Sequence, residues 1–338
     1  MEFRSGARVA VAGAGALGSA VALRLAQLGF QVTVFDPSPP NANASGVAAG
    51  MLAPLSEALF DPASRQHLDV MRRARDLWPD FAKTLGLTLF RSGVRLEGPD
   101  AWRWEIAARL DALGVSDTAF IDEDWRVDAR QALAALREAA LQIGAVFQPV
   151  AVQAFTAGVV GLVDGRREAF DVLVLATGPG VRHGAIAPET QVLAPIKGQI
   201  LRLPPQDAGD APVVRGEGVY FAPGATLAIG ATMEHGRDDL APDRAATQAL
   251  RSAAAALRPN LDLDRAEVEV GVRVTTPDGL PLVGWSRTPG VMLAVGARRN
   301  GWLFAPLVAH MAAAYLTGDN LGQDAAAMDA RRFEKPQT

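Results

Sequence analysis

The sequence predicts an α/β fold, α+β overall, in which a parallel-sheet domain alternates along the chain with an antiparallel-sheet domain. Three observations predict it. A glycine-spaced turn, Gly13-Ala14-Gly15-Ala16-Leu17-Gly18, lies between an apolar run and a helix-forming segment. Residues 170–176 read as an apolar strand interrupted only by Asp171, as in a strand buried on both faces of a parallel sheet. From Pro195 to Ala231 the chain changes character: short runs lie between Gly and Pro, the pattern of an antiparallel meander. The strand-rich part is flanked by α/β parts. A Rossmann-like dinucleotide-binding domain is therefore expected from residues 1–85, 128–182 and 265–338, with a substrate domain from 86–127 and 183–264.

Each element follows from local pattern. Arg8–Ala12 is a short apolar run, residues 20–29 have helix-forming composition closed by Gly29, and Gln31–Phe35 is a second apolar run closed by Asp36 and Pro37. Together they make half of a βαβ unit. Residues 68–85 read as a helix and 89–96 as a strand. Residues 128–143 are amphipathic, with Asp128 as N-cap and Gly144 as stop. Strands are expected at 198–203, 218–222 and 226–231, a helix at 241–257, and a strand at 267–276. Residues 291–296 lead into a helix from about Gly301. Residues 204–212 are a Pro/Gly-rich loop, and no internal repeat is present.

Composition narrows the function classes. The 338 residues suggest about two domains. A hydrophobic fraction of 49% against 21% charged residues permits a large core and argues against disorder. The net charge of −4 argues against a nucleic-acid partner. Cysteine is absent, which excludes disulfides, thiolate nucleophiles, iron–sulfur clusters, Cys-based zinc sites and any flavin bonded through Cys. The uncharged run 9–23 is too short to span a bilayer and is broken by Gly13, Gly15 and Gly18; residues 301–318 contain Pro306 and His310 and read as a buried helix. A cytoplasmic protein without a membrane span or metal is expected. Oligomeric state stays open, a homo-oligomer included.

The glycine turn carries the first chemistry. Its first Gly allows the tight turn, its second lets a pyrophosphate approach the backbone, and its third lets helix pack on strand. Asp36 ends the second strand, where a carboxylate binds both ribose hydroxyls of an adenosine, favouring FAD or NAD over NADP. The strand end Ala176-Thr177-Gly178 is either an ordinary turn or a second contact, the latter suiting an extended FAD. In 267–276 the valines 268, 270, 272 and 274 alternate with a polar face carrying Arg273, beside Gly271. That face is either solvated or part of a site. Gly296-Ala297-Arg298-Arg299-Asn300-Gly301 precedes a helix; its arginines form a solvated turn or an anion clamp.

The frame Gly13–Asp36, the segment Ala44-Ser45-Gly46-Val47-Ala48-Ala49-Gly50-Met51-Leu52-Ala53-Pro54, Ala176-Thr177-Gly178, Pro195-Ile196-Lys197-Gly198-Gln199, Gly271-Val272-Arg273, Thr276-Pro277-Asp278-Gly279-Leu280-Pro281 and Arg299-Asn300-Gly301 together resemble the D-amino-acid oxidase family of flavoproteins. The nearest likeness is to its glycine oxidase branch, associated with thiamine biosynthesis. The resemblance spans nearly the whole chain and implies non-covalent FAD, an amino-acid substrate and O2. It implies FAD contacts at Ala16, Leu17, Asp36 and Pro37, with Ala44, Ser45, Ala49, Gly50 and Met51 near the pyrophosphate and flavin. Val150 would meet the adenine through its backbone, and Ala297, Arg298, Arg299, Asn300, Gly301, Trp302 and Leu303 would wrap the flavin ring. Arg273, Arg299 and the Tyr220 hydroxyl would bind the substrate carboxylate, and Met51 and Met233 would narrow the pocket. Gly224, Arg298 and Gly218 depart from the family pattern.

The reading is oxidative deamination of glycine, sarcosine or a short D-amino acid. Hydride passes to flavin N5 without a side-chain acid or base, and oxygen reoxidation gives hydrogen peroxide. The rivals are a same-family D-amino-acid dehydrogenase or secondary-amine oxidase using another acceptor, and a non-catalytic dinucleotide-binding module. His67, His183, His235 and His310 fall in no matched motif and read as structural or surface residues.

Overall fold

A computed structural model describes residues 3–181, 184–206 and 209–334; His183 lies outside them. The first strand, Arg8–Ala12, is buried from Val9 onward and pairs in parallel with Gln31–Phe35 on one side and Val172–Leu175 on the other. The full sheet runs Leu282–Trp285, Val291–Val295, Val172–Leu175, Arg8–Ala12, Gln31–Phe35, Val146–Gln148, with only the Leu282–Trp285 edge antiparallel. The expected apolar strand at 170–176 is thus central, flanked by parallel neighbours.

The helix after the glycine turn is Ala16–Gln27, starting earlier than the sequence pattern suggests because extended Gly15 caps it directly. Its apolar face shares one core with Gly301–Thr317, which continues past Pro306 and closes on left-handed Gly318. The helix expected over 68–85 is two, Leu68–Asp76 and Trp78–Thr84. Pro79 lacks an N–H and is accommodated in the first turn of the second, where none is needed. Trp78 is fully buried there, its indole donating toward the carbonyls of Trp302 and Leu303 at 3.2 and 3.3 Å. The strand expected over 89–96 contracts to Val94–Leu96. Asp128 caps Ala129–Gln142 as expected, accepting from the N–H groups of Arg130 and Gln131. The helix expected from 241 starts at Arg244, after its cap Asp243.

The second large sheet has eight strands and is mostly antiparallel, Val213–Gly216 and Val94–Leu96 being its parallel pair. Its long strand, Ala194–Leu203, pairs antiparallel with Glu267–Thr275 from Ala194↔Thr275 to Arg202↔Glu267. This corrects the strand-level assignment of 265–338. Glu267–Thr275 is hydrogen-bonded into the antiparallel sheet, where its 9 residues are matched along the 10 of Ala194–Leu203, a length that parallel-sheet strands of at most 5 residues do not offer. Among the described residues no helix is long and apolar enough to cross a membrane, and no group of His, Asp and Glu could hold a metal ion.

Candidate active site

In the parallel sheet the chain builds outward from Arg8–Ala12 on one side, through Gln31–Phe35 and Val146–Gln148, and then crosses to Val172–Leu175 on the other side, so the strand order reverses at Arg8–Ala12. The crevice beyond the carboxyl ends at such a switch point is where open α/β sheets bind ligands. A cleft of about 590 Å³ opens there, walled by the strand ends Ala12, Phe35, Ala176 and Val295. The glycine turn forms one lip through Gly13, Gly15, Ala16 and Leu17. A Cβ on Gly13 would stand 2.4 Å from the Ala176 carbonyl oxygen, and one on Gly18 would collide with the Gly13 carbonyl, so both positions need glycine for packing. The Ala16–Gln27 helix carries no acidic residue in its first turn, leaving its positive end available to an anion.

Asp36 lines the cleft with Pro37 and also builds it. One carboxylate oxygen accepts from the Ala14 N–H at 2.7 Å, the other from Ser38 N–H at 2.8 Å. Ser45 Oγ accepts from the Ala16 N–H at 2.9 Å, and the Ser45 carbonyl accepts from the Trp302 indole at 3.0 Å. Those bonds tie the 44–48 segment to both ends of the chain. Ala44, Thr177, Gly178, Ala297, Arg298 and Gly301 complete the wall; the Thr177 hydroxyl is buried with no partner among the described residues.

A second cavity of about 310 Å³ joins the cleft through Ala44, Ala48, Gly271, Arg273, Arg299 and Trp302. It holds Ala49, Gly50, Met51, Met233, Tyr220 and Asn300 of the expected site. Three expected contacts, Gly18, Val150 and Leu303, line neither space. Gly18 is buried against the turn, Leu303 lies in the core, and Val150 is buried with its N–H bonded to the Gln148 carbonyl while Ala151 lines the cleft.

The cavity is a contest of charges. Arg273 projects over Gly198, where a Cβ would lie 2.4 Å from the guanidinium, and among the described residues the guanidinium's only hydrogen bond goes to Met233 Sδ at 3.5 Å. Burial pushes Arg273 below the ordinary arginine value, with Arg299 adding to that push and Tyr220 opposing it. Burial raises Tyr220, keeping its hydroxyl a neutral donor. Gly230 makes room for that ring, its Cβ position being 2.4 Å from the hydroxyl. Arg299 differs: its Nε and Nη2 both donate to Glu57 Oε2, at 2.9 and 2.7 Å. Against burial, Glu57 raises Arg299 and holds it charged. Arg298 pairs with Asp61 at 3.0 Å and faces the cleft, not the inner cavity. Neither arginine of this pair is a solvated turn residue.

Two charged cavity residues lie outside the sequence reading: Glu57, buried on Pro54–Phe60, and Arg215, on Val213–Gly216. Glu57 follows the matched segment 44–54 closely, but its partner Arg299 is 242 residues away. Arg215 sits in an ordinary strand with no local motif.

A crossover sheet with a glycine turn, a switch-point cleft and an adjoining cationic cavity defines a dinucleotide-dependent oxidoreductase. The chain belongs to the DAO family of FAD-dependent oxidoreductases, whose family model matches residues 8–315. It is an oxidoreductase of the glycine oxidase type. Glycine oxidase from Geobacillus kaustophilus is 29% identical over 343 residues, covering 88% of this chain and 90% of that protein. The crystal structure of glycine oxidase from the same organism superposes with a TM-score of 0.80 at 26% identity, over 97% and 100% of the two chains. The bifunctional protein ThiO/ThiG of Trichormus variabilis is 29% identical over 91% of this chain, which spans only 52% of that longer protein. The fold is shared with iminodiacetate oxidase (IdaA) from Chelativorans sp. BNC1, TM-score 0.81 at 22% identity, over 95% and 98% of the chains. The cleft fits FAD: its open helix end suits a pyrophosphate, and the partnerless Thr177 hydroxyl awaits a polar group.

Proposed function

We propose that the protein oxidises glycine, sarcosine or a short D-amino acid at the carbon bearing nitrogen, with FAD held non-covalently in the long cleft. The observation that carries this is Arg273, a guanidinium without a carboxylate partner at the junction of cleft and inner cavity. A planar cation there binds a carboxylate through two hydrogen bonds and cannot discharge. When bound, FAD supplies the redox step, accepting hydride from the α-carbon and passing two electrons to oxygen as hydrogen peroxide, while the released imino acid hydrolyses. Arg273 holds the carboxylate, and Tyr220 adds a neutral hydrogen bond. Met51 and Met233 restrict the space around the α-carbon. Arg299, tied to Glu57, is a braced wall of the cavity, so Arg273 takes the larger share of carboxylate binding. No histidine lines either space among the described residues, and the carboxylate of the inner cavity, Glu57, is engaged by Arg299, so the amine must arrive unprotonated. The glycine oxidase relatives, similar over nearly the whole chain, support this reading.

The test is an amino-acid panel assayed for peroxide and oxygen uptake on purified holoenzyme. Glycine, sarcosine or D-alanine should be oxidised with stoichiometric peroxide. A higher kcat/KM for D-phenylalanine than for glycine and D-alanine would overturn the substrate size. Anaerobic flavin bleaching without oxygen uptake in air would mean a dehydrogenase.

A further inference from the structure

The inner cavity contains a second cation that carboxylate binding at Arg273 leaves unused. Arg215 lies directly opposite Tyr220 in the antiparallel register of Val213–Gly216 with Val219–Ala222, so the two side chains share the face that looks into the cavity. Its Nη1 is buried without a hydrogen-bond partner, and no described residue accepts a hydrogen bond from its guanidinium. It lies 4.2 Å from the Phe60 ring centroid, a contact that supports the guanidinium plane and leaves its N–H edge free. The nearest acid, Glu57, spends its hydrogen bonds on Arg299. Three arginines and one glutamate therefore line a single cavity, leaving two positive charges without an acidic hydrogen-bond partner among the described residues. Burial pushes Arg215 downward as it does Arg273. Buried cations of this kind call for an anion.

The two unpartnered arginines stand at opposite ends. The sheet runs from the Arg273 strand through Ala194–Leu203, Leu227–Gly230 and Val219–Ala222 to the Arg215 strand. Four strand spacings separate their backbones by roughly 19 Å, yet both side chains end in the same 310 Å³, with Tyr220 between them. Gly216 and Gly218 also line the cavity. A Cβ on Gly218 would meet nothing within 4 Å, so that end has room.

Resting on the amino-acid oxidase reading, we infer that among small amines the preferred substrate carries a second carboxylate: Arg273 takes the carboxylate beside the reacting carbon, and Arg215 is the specificity-determining residue that takes the second. Arg298, the other arginine near the site, is excluded from this role by its pairing with Asp61.

The test compares substrates that differ only in the second charge: D-glutamate against D-glutamine, D-aspartate against D-asparagine, N-(carboxymethyl)glycine against sarcosine. The holoenzyme should favour at least one acid over its neutral partner by about thirtyfold or more in kcat/KM, the size of one charge-paired contact. Arg215→Gln should collapse that ratio toward one, and Arg215→Lys should restore part of it. Succinate and glutarate, which cannot be oxidised, should bind the holoenzyme more tightly than butyrate by calorimetry, and lose that advantage in Arg215→Gln. Neutral partners preferred throughout, or Arg215→Gln weakening acid and neutral alike with Arg215→Lys no better, would overturn the inference while leaving the oxidase reading standing. Diacid binding that depends on Arg215, with no amine oxidised, would support the site and sink the oxidase reading.

Discussion

Arg273 is where a single side chain decides most. It is a cation at the junction of cavity and cleft, and on the function proposed above its loss would remove one half of a buried charge pair formed with substrate. Such losses run to about 2–5 kcal/mol, or roughly thirtyfold to several thousandfold. Arg273→Leu should lower kcat/KM for glycine by at least that lower factor, with flavin content unchanged. Tyr220→Phe, losing a neutral hydrogen bond of about 1 kcal/mol, should lower it about fivefold. Equal damage by Arg273→Leu to an amine lacking a carboxylate would make Arg273 merely structural. Asp124 governs stability instead. Fully buried, it accepts from the Leu55 and Ser56 N–H groups at 3.0 and 2.8 Å. Burial outweighs those bonds and pushes its carboxyl from 3.8 up to about 6. The folded chain thus holds this proton more tightly than the unfolded one. The stability so gained is complete below about pH 4 and lost as pH rises through about 6. Relative to Asp124→Asn, the wild type should lose about 3 kcal/mol between roughly pH 4 and pH 7 in chemical unfolding; a difference that stays flat would show an ordinary aspartate. Arg273 was legible in sequence because strand alternation and a neighbouring glycine marked its position and the family resemblance gave it a role. Arg215 and Glu57 were not: what distinguishes them is the presence or absence of a partner, and those partners come from distant segments.

At the level of elements, the site depends on one strand pair. Gly198 and Gly271 face each other in the register of Ala194–Leu203 with Glu267–Thr275. The first admits the Arg273 guanidinium. The second admits the helix Ala44–Val47, whose Ala44 Cα would lie 3.1 Å from an added Cβ. Two missing side chains thus let a cofactor-side helix and a substrate-side arginine meet on one strip of sheet. Gly198→Ala would put a methyl where the guanidinium rests. The guanidinium is the end of a flexible chain, so it should move while the fold stays intact. The expected result is a fall of roughly tenfold or more in kcat/KM through misplaced substrate, with near wild-type Tm and flavin content. A variant with full activity would show that Arg273 has room elsewhere, and one that does not fold would show that the strand pair does not tolerate the methyl. Sequence patterns located these strands because alternation and glycine spacing are short-range. They overran the 68–85 helix because Pro79 is compatible with a helix start as well as a helix stop, and tertiary packing of Trp78 decides which.

Across the whole molecule, the cleft is assembled from both ends of the chain: the turn at 13–18, the strand ends at 176–178 and the loop at 296–302 all face it. The glycine turn announced this in sequence, but its closure did not, since Ser45 binding Ala16 and Trp302 binding Ser45 join segments far apart. A cofactor seated there touches segments that the unfolded chain scatters, so it binds the native state alone and should stabilise it by mass action. Free FAD at a hundredfold excess over Kd adds about 2.7 kcal/mol, which for a chain of this length raises Tm by roughly 3–5 °C. The chain has no cysteine, and no histidine lines the cleft among the described residues, so no side chain of the usual kinds is placed to bond the flavin. Apoprotein prepared at acid pH and refolded should therefore show a Tm that climbs with the logarithm of added FAD, and acid precipitation of holoenzyme should leave a white pellet and a yellow supernatant. A yellow pellet would mean a covalent link, and a Tm indifferent to FAD would mean that the cleft between these segments is not where the cofactor binds.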